Sequence, residues 1–162
     1  MRLLLAAAFV SLVVVSGAAG ATFKHSVATP NPVTVAGVTL NGVDQVKTFT
    51  IDSTVQYTGG QNTAGWKVQA SATTPASGSN TLPALQVTDG TFSCVSGCNT
   101  NPTNGVTYPI TLSTTAQTIF NAAAGTGQGT FTVTSTFALN YVANALPGTY
   151  SSTVTLSGST GP

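Results

Sequence analysis

Apolar and polar residues alternate with a period of two in several short stretches of the chain. In "KTFTIDSTVQYTGG", Phe49, Ile51, Val55 and Tyr57 fall on one side and Thr50, Asp52, Thr54 and Gln56 on the other. In "GWKVQASAT", Trp66, Val68, Ala70 and Ala72 oppose Lys67, Gln69, Ser71 and Thr73. In "GTFTVTSTFALNY", Phe131, Val133, Phe137, Leu139 and Tyr141 share a face. That period belongs to a strand with one buried face. Further strands are predicted in "VTVAGVTL" from Val33, "ALQVTDG" from Ala84, "VTYPITLS" from Val106 and "TYSSTVTLS" from Thr149, most of them bounded by Gly, Pro, Asn or Ser. "NAAAGTG" from Asn121 reads as a brief helical turn or a loop. Roughly eight strands, each with one apolar face, predict an all-β fold: an Ig-like antiparallel β-sandwich, with an open barrel as the alternative.

The first residues break this pattern. "MRLLLAAAFVSLVVVSGAAGATF" has a basic head at Arg2, apolar runs from Leu3 to Phe9 and from Leu12 to Val15, then small residues. Residues 1–21 therefore read as a signal peptide, cleaved after Ala21 or alternatively after Ala18. Interrupted by Ser11, Ser16 and Gly17, the stretch falls short of the roughly 20 apolar residues that span a bilayer. The expectation is a secreted, extracellular protein with no integral membrane segment after cleavage, and a single domain over residues 22–162.

That domain has Lys24, Lys47 and Lys67 against Asp44, Asp52 and Asp89, and no glutamate. Three scattered lysines cannot neutralise a run of phosphates, which argues against nucleic acid as a partner. Low charge combined with 41% hydrophobic residues also separates the chain from disordered, charge-rich segments. Cys94 and Cys98, in "FSCVSGCNTNPTNG", are expected to form a disulfide in an exported chain. So short a loop contributes roughly 2 kcal/mol on the chain-entropy model. Two thiols without a neighbouring histidine do not make a zinc site, and no metal or cofactor is expected.

Catalysis has little to work with. The sole histidine, His25, lies near the start of the domain and reads as a strand residue with its ring on the surface. Asp44, Asp52 and Asp89 are spaced unlike a calcium loop. Asp89 reads as a turn residue beside Gly90, and Asp52 as a solvated or locally hydrogen-bonded carboxylate on a polar strand face. No phosphate loop, GxSxG elbow or HExxH motif occurs, so a non-enzymatic protein is expected. The single tryptophan, Trp66, shares its face with small apolar residues, as a core residue would. The alternative is an exposed platform for a ligand.

The order of "AGW" at the head of an alternating strand, "TLPALQV", and the closing "GQGTFTVTSTFALNYVANALPGTYSSTVTLSGSTGP" resembles the WxL domain of bacterial cell-surface proteins. The likeness runs from about Val33 to Pro162. The first name-giving motif looks like Trp66-Lys67-Val68, with valine for leucine. In the second, Tyr150, Val154, Thr155 and Pro162 occupy matching positions, while Leu156 stands for the tryptophan and Gly158 for the leucine. The resemblance implies non-covalent attachment to the peptidoglycan of Gram-positive bacteria or to other cell-surface proteins. It also makes Trp66, Val68, Tyr150 and Leu156 the motif residues associated with binding. Because an aliphatic replaces a buried tryptophan more readily than a sugar-stacking one, Leu156 favours the core reading of Trp66, with binding left to neighbouring polar loops. The uncharged, Thr-, Val- and Gly-rich composition, short of edge lysines, also suits self-association into a filament or layer.

Overall fold

A computed structural model describes residues 5–15, 23–27, 33–58 and 64–161. Pro162 and both proposed cleavage sites, after Ala18 and after Ala21, lie outside the described residues. The described chain is all-β. Its strands run in the order β1 (Leu5–Val15), β2 (Phe23–Val27), β3 (Val33–Thr39), β4 (Gln45–Tyr57), β5 (Trp66–Ala72) and β6 (Ala76–Ser77). They continue as β7 (Asn80–Thr81), β8 (Gln86–Thr100), β9 (Ile110–Thr111), β10 (Gln117–Ala122), β11 (Gln128–Tyr141) and β12 (Gly148–Thr160). One sheet has the order β10-β5-β12-β1-β3, with the β6–β7 hairpin attached to β12; the other has the order β2-β4-β11-β8-β9. The two sheets enclose one core in a sandwich-like arrangement.

Alternation and burial agree closely where the ladder is regular. β11 pairs with β4 without interruption from Gly129↔Tyr57 to Tyr141↔Gln45. Ile51, Val55 and Tyr57 on β4, and Phe131, Val133, Phe137, Leu139 and Tyr141 on β11, are all buried, as their period requires. β5 buries Trp66, Val68, Ala70 and Ala72 and leaves the intervening residues partly exposed. Each such large apolar side chain contributes about 1.5–3 kcal/mol on leaving water. The inward rows of β4, β11 and β12 carry Ser53, Ser135 and Ser152, respectively, also buried. The Ser152 hydroxyl donates to the Thr73 carbonyl at 2.6 Å, which satisfies it inside the core.

Several elements differ from the expectation. β10 emerges in a stretch with no clean alternation, because its register against β5 shifts between Thr118 and Phe120 and turns both Ile119 and Phe120 inward. "VTYPITLS" keeps only the two-residue β9. "NAAAGTG" ends β10 and then turns, Thr126 N–H donating to the Ala123 carbonyl at 3.0 Å, so the loop reading holds. β8 runs straight through the cysteine pair, with Cys94 and Cys98 disulfide-bonded. Asp89 lies within β8 opposite Thr136 rather than in a turn, at a ladder irregularity where its carboxylate accepts the Gly90 N–H at 2.8 Å. The apolar run near the start is an extended strand, β1, inside the first sheet.

His25 corrects the expectation of a surface ring. It is 7% exposed, and neither ring nitrogen has a hydrogen-bond partner among the described residues. The cause lies 133 positions away in sequence: a Cβ on Gly158 would stand 2.7 Å from the His25 Cβ and 2.9 Å from the Phe23 Cζ. β2 therefore lays His25 and Phe23 over the bare backbone of β12. Burial holds the imidazole pKa below its ordinary 6.5. Because the unfolded chain then binds a proton that the folded chain refuses, stability is full above pH 6.5 and declines as pH falls below it. The expected slope is at most about 1.4 kcal/mol per pH unit. Urea midpoints between pH 7.5 and 5 check this, and His25→Phe should remove the histidine's part of the decline.

Candidate functional site

The two motif segments come together on adjacent strands. β5 and β12 pair antiparallel so that Trp66 meets Thr160, Lys67 meets Ser159, Val68 meets Gly158 and Ala70 meets Leu156. The Gly161 N–H donates to the Gly65 carbonyl at 2.9 Å and extends the match by one step. Trp66, Val68, Tyr150 and Leu156 are all core residues, at most 1% exposed. The folded domain thus presents none of the four to a ligand. What they position is the surface around them.

Trp66 is the clearest case. Its indole stacks on Phe120 (centroids 5.7 Å, planes 22° apart) and lies 6.5 Å from Phe131. Its Nε1–H donates to the Gly127 carbonyl at 2.8 Å. A buried indole N–H needs such an acceptor, and the bond anchors the 123–127 turn to the core. Gly127 has φ of 72°, and a Cβ there would stand 2.5 Å from Trp66 Nε1, so both the conformation and the approach of the turn require glycine. Tyr150 plays a similar part at the other end of the sandwich, where its hydroxyl donates to the Leu146 carbonyl at 2.7 Å.

Around the Trp66 end the loops are polar and uncharged. The Ala123 N–H donates to the Thr103 carbonyl and the Gly127 N–H to the Asn101 carbonyl, which joins the 101–109 loop to the 123–127 turn. Asn104 accepts the Val106 and Asn121 N–H groups at 3.2 Å each, and Asn121 accepts the Gly105 N–H at 2.8 Å. The Tyr108 hydroxyl lies against bare Gly90 and donates to the Ile119 carbonyl at 2.5 Å. Burial raises the Tyr108 phenol above its ordinary value, which keeps it a neutral donor. The result is a braced surface on which Asn101, Thr103, Gly105 and Thr107 are exposed. The exposed Asn101, Thr103 and Thr107 offer an amide and two hydroxyls that can hydrogen-bond to neutral, hydroxyl-rich groups.

The carboxylates are spent elsewhere. Asp44 accepts the Ala143 N–H at 2.6 Å and Asp52 the Thr134 hydroxyl at 2.6 Å, so the local hydrogen bond expected for Asp52 is a cross-strand one. Among the described residues no three His, Cys, Asp or Glu side chains are grouped as metal ligands would be.

A second surface feature lies on β8. Among the described residues its outer edge pairs with β9 only at Gln86 and Val87. Beyond them Phe92 (37% exposed) and Val95 (58% exposed) stand on a strand free of lysine. Phe92 meets Phe120 and Phe131 edge-on, at 6.2 and 6.0 Å, so one side of its ring belongs to the Trp66 aromatic cluster. No family model matches the chain, and no curated protein matches it either.

Proposed function

We propose that this is a secreted, non-enzymatic WxL-like domain of the bacterial surface that associates non-covalently with the cell wall, its peptidoglycan, or other surface proteins. The observation that carries the reading is the pairing of Trp66-Lys67-Val68 with Gly158-Ser159-Thr160 on β5 and β12, which joins the two segments of the resemblance. Beside them, the exposed Asn101, Thr103 and Thr107 of an uncharged, braced loop offer donors and acceptors for a sugar and need no ion pair. The chain should sediment with purified peptidoglycan at moderate salt. Asn101→Ala combined with Thr107→Ala, both on exposed side chains, should reduce retention severalfold while leaving the melting temperature in place. Failure of the unaltered chain to sediment would remove peptidoglycan as the ligand.

The edge of β8, which beyond Val87 has no second strand partner among the described residues and carries no lysine, supports a second reading, a structural subunit that pairs with copies of itself. Its apparent mass by light scattering should then rise with concentration, and Val95→Lys should hold it at the monomer value. A monomer at every concentration rules this reading out.

A further inference from the structure

The segment that reads as a leader occupies the interior of a sheet. β1 lies between β12 and β3, parallel to β12 from Ala6↔Gly148 to Val15↔Ser157 and antiparallel to β3 from Leu5↔Thr39 to Val10↔Val33. Ala6, Ala8 and Val10 face the core at 0–2% exposure, whereas Phe9 and Ser11 face outward. Ala8 stands between Tyr150 and Val35, where a small residue sits beside larger ones, and Val10 stands between Ser152 and Val33. β3 has no other strand partner among the described residues.

Removal of β1 would leave the facing backbone groups of β12 and β3 unpaired, above an apolar floor that includes Tyr150, Val154 and Leu156. Unpaired backbone groups beside a buried face are costly, and an added strand satisfies both needs at once. We propose that the exported chain carries an acceptor slot between β3 and β12, which takes an extended strand from a partner protein, parallel to β12, with alanine or valine at alternate inward positions. The inference rests on the leader reading of residues 1–21. A partner fits better than a second copy because every described strand after residue 22, other than β3 itself, is already paired within its own sheet.

The test uses the chain secreted by its host, with its N-terminus read by mass spectrometry, and a peptide of residues 4–15 made soluble by a lysine tail. The processed chain should bind this peptide one to one, with slowed amide exchange along Gly148–Ser157 of β12. A processed chain that gains sheet structure on adding the peptide supports the slot equally. A peptide carrying Ala8→Asp and Val10→Asp should bind at least about tenfold more weakly, since it would bury two carboxylates. The full chain, its slot filled by β1, should refuse both peptides. Equal uptake of the two peptides, or refusal of both by a chain of processed mass, overturns the slot; refusal is the result expected if β3 closes directly onto β12. Processed chains that dimerise with the same β12 protection and no peptide overturn the partner assignment in favour of a second copy. A secreted chain that retains residues 1–21 overturns the leader reading itself, and the vacancy with it.

Discussion

Trp66→Ala should destabilise the domain by about 3–5 kcal/mol, the range for truncating a large aromatic in a packed core. Three losses coincide: burial of a side chain at 0% exposure, its stacking on Phe120, and the hydrogen bond that satisfies the Gly127 carbonyl. Against a typical domain stability of about 5–15 kcal/mol, that is a large share. Because Trp66 is the only tryptophan, the substitution also deletes the natural fluorescence probe, so the urea midpoint should be followed by circular dichroism. Trp66→Phe separates the contributions. It keeps an aromatic ring beside Phe120 but leaves the Gly127 carbonyl without its donor, and should cost about 1–3 kcal/mol. The 123–127 turn should then show faster amide exchange while β11, which follows it, stays protected. A midpoint unchanged in Trp66→Ala would contradict the buried position of the indole.

What periodicity revealed, and what it missed, follows from where each residue finds its partners. β4, β5, β11 and β12 were legible because their ladders are regular over long stretches, so a two-residue period in sequence is a two-sided surface in space. Trp66 was legible as core for the same reason, its strand-mates being Val68, Ala70 and Ala72. β10 was hidden by its register shift, which turns the consecutive residues Ile119 and Phe120 to one side. β8 was only half visible: its ladder to β11 is irregular at several points and most of its residues beyond Val87 are exposed. The extended form of residues 5–15 was not legible at all, since a continuous apolar run carries no strand or helix period. The placement of His25 depends on a glycine at the far end of the chain, a tertiary fact that no local window contains. At the candidate site, the polar character of the loops was readable from composition, whereas their bracing through Asn104, Asn121 and Gly127 was not.

Gly158→Leu should also cost about 3 kcal/mol or more, and its effect should depend on His25. The position is buried on β12 opposite Val68, and the resemblance places a leucine there. In this chain the space that side chain would need is already filled. A Cβ would stand 2.7 and 2.8 Å from the His25 Cβ and Cγ and 2.9 Å from the Phe23 Cζ, before the rest of the leucine is added. Those neighbours are the base of the His25 side chain and a ring packed edge-on to Tyr57, so neither yields cheaply. Overpacking alone costs about 1–3 kcal/mol. If β2 lifts to relieve it, burial of Phe23 is lost as well, about another 1.5–3 kcal/mol. Shortening the obstructing side chain tests the cause. In a double-mutant cycle, His25→Ala should recover at least about 1 kcal/mol of the Gly158→Leu penalty, as expected for residues in direct contact. Strict additivity would mean that the ring atoms of His25, which alanine removes, are not what fills the space a leucine needs. Coupling would mean that the departure from the motif at Gly158 and the burial of the sole histidine are one structural arrangement, in which β2 occupies on β12 the volume that a leucine would otherwise fill.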